Sequence, residues 1–100
     1  MDESTSISVR EMSSPPSSTW FLYIVRCVDN SLYTGITTDL DRRITEHNSS
    51  GKGAKYTRAR RPVELVYHEL FKNRSEVSVR EATIKKMTPS QKRQLIKGVL

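Results

Sequence analysis

Two short runs of aromatic and β-branched residues, separated by a turn-forming tripeptide, constrain the fold of this sequence more than any other feature. The runs are Trp20–Val28 and Leu32–Ile36, and the tripeptide Asp29–Ser31 lies between them. Aromatic and β-branched side chains favour strands, whereas Asp, Asn and Ser favour turns. The stretch therefore predicts a β-hairpin in which Asn30 or Ser31 takes the unusual backbone dihedrals.

The length of the hairpin loop decides which side chains share a face of the sheet, because side chains alternate along a strand. A two-residue loop would put Tyr23 and Tyr33 on opposite faces. A three-residue loop pairs Val28 with Leu32 and puts both tyrosines on one face. We favour the three-residue loop because the other face is then almost entirely apolar. Its residues are Trp20, Leu22, Ile24, Val28, Leu32 and Ile36.

The tyrosine face of this hairpin is the first candidate for a functional site. Besides the two phenols, it carries Phe21, Val25, Cys27 and Gly35. A glycine within a strand lets another group approach the backbone closely. Two phenols beside such a glycine therefore indicate a binding or catalytic site.

The charge of the chain is unevenly distributed between a short tail and the remainder. Residues 1–19 are rich in serine, contain Pro15 and Pro16 and show no periodicity, so we expect a disordered tail. We expect residues 20–100 to form one small domain. The tail contains three acids and one arginine and so carries −2. Because the net charge of the chain is +6, the remainder carries +8. This excess favours a polyanionic partner, although a basic surface that only maintains solubility is the alternative.

The single cysteine, Cys27, excludes a disulfide framework. With only two histidines in addition, the sequence predicts no zinc site. Cys27 lies in a predicted strand, which favours a core residue over a nucleophile. No apolar run approaches the length that spans a membrane, and the N-terminus lacks the pattern of a secretory signal. We therefore expect a cytoplasmic protein without a membrane partner.

The sequence after the hairpin predicts a helix, a strand and two further helices. The predicted bounds are residues 37–47 for the first helix, Val63–Phe71 for the strand, about Ser75 for the start of the next helix, and Thr88–Gly98 for the last. Thr37 or Thr38 can cap the first helix. Thr88, Pro89 and Gln91 form a capping box with proline at the first helical position, which indicates the start of the last helix.

Two basic side chains lie beside the buried face of the first predicted helix. Leu40 and Ile44 mark that face. Arg43 and His47 are four residues apart and lie just to one side of it. We expect both to point along the packed flank of the sheet.

The segment Lys52–Pro62 predicts a loop that contains five basic residues, one tyrosine and no acid. Its alternative interpretation is a solvated connection without a function. A basic loop with one aromatic residue, Tyr56, also suits a phosphate backbone with one stacking contact.

Glu81 lies on or beside the apolar face that Val77 and Ile84 define on the helix after the third strand. Three interpretations stay open at this point. Glu81 can pair with Lys85 at the helix surface. It can close a capping box with Ser78, in which case the helix begins later. It can also be a ligand for a hard cation.

Several short motifs, taken in chain order, resemble those of the GIY-YIG nuclease superfamily, and most closely those of its small stand-alone bacterial members. Leu22-Tyr23-Ile24 resembles the first half-motif, and Tyr33-Thr34-Gly35 resembles the second. Arg43 lies eight residues after the glycine of the second half-motif, His47 follows four residues later, and Glu81 lies on the helix after the third strand. The resemblance covers about residues 19–96.

This resemblance implies an α+β fold with a central three-stranded antiparallel sheet flanked by helices in the order β-β-α-β-α-α. It implies hydrolysis of phosphodiesters with Mg²⁺ or Mn²⁺ as the cofactor. In this assignment Glu81 holds the metal and Arg43 grips the scissile phosphate. Tyr23 deprotonates or positions the attacking water, with help from the metal and Arg43, and Tyr33 and His47 complete its orientation.

The expected function is that of a metal-dependent DNA endonuclease that acts on damaged, branched or single-stranded DNA. The alternatives are a nucleic-acid-binding module without turnover, serving as a subunit of a repair complex, and a basic protein–protein adaptor. The residues expected to contact nucleic acid are Gly35, Arg42, Lys52, Lys55, Tyr56, Arg58, Arg60 and Arg61.

Overall fold

The computed structural model describes residues 19–49 and 51–98, in which a three-stranded sheet carries helices on both faces. The strands are β1 (Trp20–Arg26), β2 (Leu32–Thr37) and β3 (Glu64–Phe71). The helices are α1 (Leu40–Ser49), α2 (Lys55–Arg58), α3 (Arg74–Lys85) and α4 (Pro89–Lys97). The strand order is β2–β1–β3 and both pairings are antiparallel, so the expected α+β fold is confirmed. Apart from Thr19, the expected disordered tail lies outside the described residues.

The hairpin of β1 and β2 has the predicted faces but not the predicted register. Leu32 pairs with Arg26 rather than with Val28. The loop does contain three residues, since the Cys27 N–H donates to the Ser31 carbonyl at 2.8 Å, but it is displaced by one position. Because the pairing differs by an even number of residues, both tyrosines still share a face. Val28, expected in the core, is 61% exposed in the loop.

Asp29 explains the position of this loop. Its Oδ1 accepts hydrogen bonds from the Ser31 backbone N–H at 3.0 Å and from the Ser31 hydroxyl at 2.6 Å. This local bonding makes Asp29 the middle residue of the loop rather than the first. Asn30 then takes the left-handed conformation, with φ of 70°, as one of the two predicted candidates.

Each face of the sheet has its own hydrophobic core. The face that carries Leu22 and Ile24 packs against Val77 and Ile84 of α3 and Leu95 of α4. The opposite face packs against α1. Its core residues are Tyr23, Val25, Cys27, Tyr33, Leu40, Ile44 and Val63. The burial of Cys27 agrees with its interpretation as a core residue. No helix in the described part of the chain is long and apolar enough to cross a membrane.

The structure changes the predicted cap of one helix and excludes the alternative start of another. Asp39, rather than Thr37 or Thr38, caps α1, because its Oδ1 accepts the Arg42 N–H at 3.0 Å. Asn73 caps α3 by accepting the Glu76 N–H at 2.8 Å. The helix therefore begins before Ser78, and the alternative capping box of Ser78 and Glu81 is wrong. The capping box of Thr88 and Gln91 at the start of α4 is confirmed.

The basic segment after α1, predicted as a loop, contains the four-residue helix α2. Within it, Thr57 is fully buried whereas Lys55, Tyr56 and Arg58 are exposed. The segment also contacts the hairpin, because the Val28 N–H donates to the Arg60 carbonyl at 3.0 Å. These contacts place α2 beside the tyrosine face of the sheet.

Candidate active site

A buried pair of side chains, Tyr23 of β1 and His47 of α1, lies at the centre of the candidate site. The Tyr23 hydroxyl is 2.8 Å from His47 Nε2, and the two residues are 1% and 0% exposed. They meet because Tyr23 projects from the sheet face that packs against α1, where Ile44 lies one helical turn before His47. A hydrogen bond between two ionisable groups shielded from water is suited to proton transfer.

Burial shifts the pKa values of both groups so that each favours its neutral form. It raises the pKa of Tyr23 to about 12, against the smaller opposing effect of the Arg43 guanidinium. It lowers the pKa of His47 to about 4, and the positive charge of Arg43 acts in the same direction. At pH 7 the pair is therefore a phenol and a neutral imidazole.

Tyr33 of β2 completes a cluster of three rings. Its ring centre lies 5.5 Å from that of His47 and 6.5 Å from that of Tyr23. Tyr56 of α2 stacks on Tyr33 at 5.9 Å with an interplanar angle of 22°. The Arg60 guanidinium lies 3.9 Å from the centre of the Tyr56 ring. Tyr56 thus has two stacking partners within the protein, which leaves less of its ring for a nucleobase than the sequence suggested.

Arg43 is held beside Tyr23 by contacts within its own neighbourhood. Its Nη1 donates to Glu46 Oε1 at 2.9 Å and to the Lys52 carbonyl at 2.8 Å. The guanidinium also interacts with the Tyr23 hydroxyl, which is why it opposes the effect of burial on the Tyr23 pKa. These contacts fix the guanidinium while the side chain stays 24% exposed. A fixed and partly open fork of N–H groups matches the geometry of a phosphate.

Glu81 of α3 lies within electrostatic range of this cluster. Its negative charge contributes a small increase to the pKa of Tyr23, the least of the effects on that group. Its Oε2 is also 3.1 Å from Lys85 Nζ, and its side chain is 22% exposed. The ion pair with Lys85, one of the three interpretations of Glu81, is therefore present, and the Glu81 charge also acts on Tyr23.

The carboxylates near the site restrict the kind of metal that fits it. Residues 19–49 and 51–98 contain no group of three His, Cys, Asp or Glu side chains that could together hold a metal ion. A metal ion bound here must therefore take most of its ligands from water and substrate. Mg²⁺ and ions like it do so, since one or two carboxylates with substrate phosphates are enough to bind them. The partly exposed Glu81 carboxylate fits that requirement.

Gly35 lies directly beneath the Tyr23 phenol. A Cβ atom at this position would lie 2.5 Å from the Tyr23 hydroxyl oxygen, closer than atoms approach without displacement. Gly35 pairs directly with Tyr23 across the hairpin, and the phenol lies over it. The space on the Cβ side of the glycine is therefore filled by Tyr23, and the nucleic-acid contact at Gly35 stays a prediction.

The remaining basic residues fall into two groups. Arg60 pairs with Asp29 at 3.1 Å, and the Arg61 Nε donates to the His47 carbonyl at 2.6 Å. These two arginines hold the basic segment against the hairpin and α1. A second group, which we call the basic rim, has exposed side chains at the edge of the site. It consists of Arg42, Lys52, Lys55 and Arg58.

The structure adds one residue to the site that the sequence did not single out. Thr57 Oγ1 of α2 lies 2.8 Å from His47 Nδ1, on the side of the imidazole away from Tyr23. The only sequence signal was a hydroxyl residue within a basic segment, and such residues are common in loops.

Comparison with known proteins places the chain among close relatives. A family model described as the GIY-YIG catalytic domain matches residues 19–94. The UPF0213 protein DP2720 from Desulfotalea psychrophila is 64% identical over 79 residues, which cover 79% of this chain and 72% of that protein. The UPF0213 protein SH2523 from Staphylococcus haemolyticus is 55% identical over 76 residues, which cover 76% of this chain and 92% of that protein.

Two solved structures are similar in fold and in sequence. The solution NMR structure of the UPF0213 protein BH0048 from Bacillus halodurans is 46% identical, with a TM-score of 0.52, and the match covers 79% of this chain and 83% of that one. The solution NMR structure of the protein EF2693 from E. faecalis is 49% identical, with a TM-score of 0.56, and the match covers 80% and 84%. Since the family model spans most of the chain and includes the Tyr23–His47 site, the chain belongs to the GIY-YIG family.

Proposed function

We propose that this protein is a divalent-metal-dependent nuclease that hydrolyses phosphodiester bonds in DNA. The proposal depends mainly on the buried 2.8 Å hydrogen bond between Tyr23 and His47, which lies beside the fixed Arg43 guanidinium. Hydrolysis of a phosphodiester needs a proton acceptor for water and a cation where negative charge develops. The neutral imidazole and the guanidinium supply these two functions.

The proton path in this proposal runs from water through Tyr23 to His47. With a pKa of about 12, Tyr23 keeps its proton at neutral pH and is a poor base by itself. It can take the proton of the attacking water if its own proton passes to His47 Nε2. The water oxygen then bonds to phosphorus, the bond from phosphorus to the leaving oxygen breaks, and that oxygen takes a proton from solvent. The base role that the family resemblance implies for Tyr23 is thus shared with His47.

Substrate binding would make His47 a stronger base. After burial, the positive charge of Arg43 contributes most to the lowered pKa of His47. A phosphate anion bound at Arg43 neutralises that charge, so the pKa of His47 should rise in the complex. Binding of the substrate phosphate would therefore make His47 a better acceptor for the Tyr23 proton.

Glu81 would hold the metal together with water and substrate oxygens. When bound, the metal would supply positive charge that stabilises the negative charge developing on the phosphate. The basic rim would bind neighbouring phosphates of the DNA backbone, because its side chains are exposed at the edge of the site. The substrate class that we propose is damaged, branched or single-stranded DNA.

A second candidate is a nucleic-acid-binding module that does not turn over. The ion pair between Glu81 and Lys85 supports it, because a metal would have to compete with the lysine. The two candidates share the same binding surface and differ only in cleavage.

The experiment is a nicking assay on nicked, flapped, junction and single-stranded DNA, with Mg²⁺ and Mn²⁺ titrations. Arg43→Lys and Glu81→Gln should each lower kcat by about a hundredfold or more and leave DNA affinity within about twofold, since both groups act mainly in the transition state. Glu76→Gln is the matched control, because Glu76 is an exposed residue of the same helix.

Three outcomes separate the candidates. Metal-dependent cleavage by wild type that both variants lose supports the nuclease. Equal cleavage by wild type and Glu81→Gln, with the same metal dependence, would remove Glu81 from the site. Tight binding by wild type without cleavage of any substrate would favour the binding module.

A further inference from the structure

Thr57 occupies a position from which it can control the protonation of the imidazole. The residue is 0% exposed, and its Oγ1 has two partners. One is His47 Nδ1 at 2.8 Å, and the other is the Ala54 carbonyl oxygen at 2.9 Å. Neither partner is displaced by water in a site this deeply buried, so both bonds constrain the single hydroxyl proton.

The Ala54 carbonyl determines which way these bonds run. A carbonyl oxygen can only accept, so the Thr57 hydroxyl donates its one proton to Ala54. Toward the imidazole, Thr57 Oγ1 is then left as an acceptor. His47 Nδ1 must therefore carry the ring proton, because the neutral imidazole has only one.

The protonation of Nδ1 leaves Nε2 with a free lone pair facing the Tyr23 hydroxyl at 2.8 Å. Tyr23 then donates to His47, which is the direction that proton transfer requires. The other tautomer would place an N–H against the phenol oxygen and block the transfer. The choice between these tautomers follows from the bond that the second ring nitrogen makes.

We propose that Thr57 is a positioning residue that holds His47 in the Nδ1–H tautomer and thereby lets Tyr23 pass its proton to Nε2. The proposal depends on the proposed nuclease function. The proposal also assigns a role to α2. Thr57 is the one buried residue of this helix, whose other three side chains are exposed.

The test compares Thr57→Val, which keeps the shape but lacks the hydroxyl, with Thr57→Ser, which keeps the hydroxyl. Thr83→Val is the matched control, because Thr83 is exposed on α3 and its hydroxyl donates to the Val79 carbonyl of its own helix. One readout is the ¹⁵N NMR signature of the His47 ring, which distinguishes the two tautomers without any need for activity. The other is the separation of kcat from KM in the nicking assay.

We expect the Nδ1–H tautomer in wild type, Thr57→Ser and Thr83→Val. In Thr57→Val we expect the Nε2–H tautomer to appear and kcat to fall by at least about tenfold with KM unchanged. A wild-type spectrum dominated by Nε2–H would overturn the proposal, even if Thr57→Val fails to fold. So would a folded Thr57→Val protein that keeps the wild-type tautomer and kcat. Wild type that shows the Nδ1–H tautomer but cleaves no DNA overturns the proposed nuclease function, and with it the role of Thr57 in proton transfer.

Discussion

The absence of a side chain at Gly35 determines where the Tyr23 hydroxyl can lie. Gly35 has no side chain, so the Tyr23 ring can lie directly over it. A Cβ atom at residue 35 would be only 2.5 Å from the Tyr23 hydroxyl oxygen. The same phenol reaches His47 on a different element. A single methyl group at residue 35 would therefore displace the hydroxyl that donates to the imidazole.

At the residue scale, the lowered pKa of His47 predicts a clear titration. In a His68→Gln background, His47 is the only histidine, so its ring protons can be followed by NMR without ambiguity. We expect a midpoint near pH 4, because burial and then the Arg43 charge oppose protonation. A midpoint near the ordinary value of about 6.5 would contradict the buried arrangement.

The same shift predicts how stability depends on pH. The unfolded chain binds a proton at this histidine below about pH 6.5, whereas the folded chain binds it only below about pH 4. The contribution is therefore complete above pH 6.5 and is lost as the pH falls toward 4, by up to about 3 kcal/mol. Urea unfolding at several pH values should show a steeper loss for wild type than for His47→Gln. Parallel curves for the two proteins would argue against this prediction.

At the scale of elements, helix α3 matters because it carries Glu81 and contributes Val77 and Ile84 to one core. Its N-terminal cap, Asn73, precedes the residue that the sequence suggested as the start. The helix itself begins at Arg74, within one residue of the start predicted near Ser75.

The cap on α3 predicts a measurable loss of stability. Asn73→Ala removes the acceptor for the Glu76 N–H and should lower the free energy of unfolding by about 1 kcal/mol. Asn73→Asp keeps an acceptor at the same position and should stay within a few tenths of a kcal/mol of wild type. Chemical denaturation of the three proteins is the measurement. Equal losses in both variants would show that the cap bond does not determine the effect.

Much of the fold could be predicted from the sequence, because apolar alternation and turn chemistry are local signals. The two faces of the hairpin follow from the parity of the loop, and this survives the displaced register at Leu32. The position of the loop was predicted wrongly by one residue. It depends on the hydrogen bonds of Asp29, and the neighbouring residues favour turns equally well. Asp39 was overlooked as a cap for the same reason, since two threonines precede it.

The site was predictable in part. Tyr23, Tyr33, Arg43 and His47 were identified by residue pattern and by family resemblance, and they lie together. The part that could not be predicted depends on contacts between distant segments. Thr57 is ten residues from His47 in sequence, and its importance arises only when α2 packs beside α1. The internal contacts of Arg60 and Arg61 likewise have no local pattern that distinguishes them from exposed arginines.

At the scale of the whole molecule, the question is whether DNA binding depends on the basic rim or only on the net charge of +6. Exposed charge on α4 offers a comparison, because Arg93 and Lys97 are exposed on the helix that packs against the opposite face of the sheet. A chain that bound polyanions through net charge alone would treat both sets of lysines and arginines alike.

The basic rim therefore predicts a site-specific salt dependence. Lys55→Gln with Arg58→Gln should lower the slope of log affinity against log salt by about 1.8 for duplex DNA, at about 0.9 for each lost phosphate contact. Arg93→Gln with Lys97→Gln changes the net charge equally and should leave the slope nearly unchanged. The measurement is a DNA-binding titration at several salt concentrations. Equal slopes for the two double variants would mean that the rim is not the binding surface.

The short length of α2 has a consequence for when the protein can work. A four-residue helix has almost no intrinsic stability, so α2 persists only through its contacts with the sheet and α1. Those contacts are few beside the packing of the two cores, and local opening of α2 should therefore precede global unfolding on heating. When it opens, the imidazole loses the partner that fixes its tautomer while the sheet stays intact. The temperature that limits the proposed nuclease activity should then lie below the melting temperature, because the site would lose its geometry before the sheet unfolds.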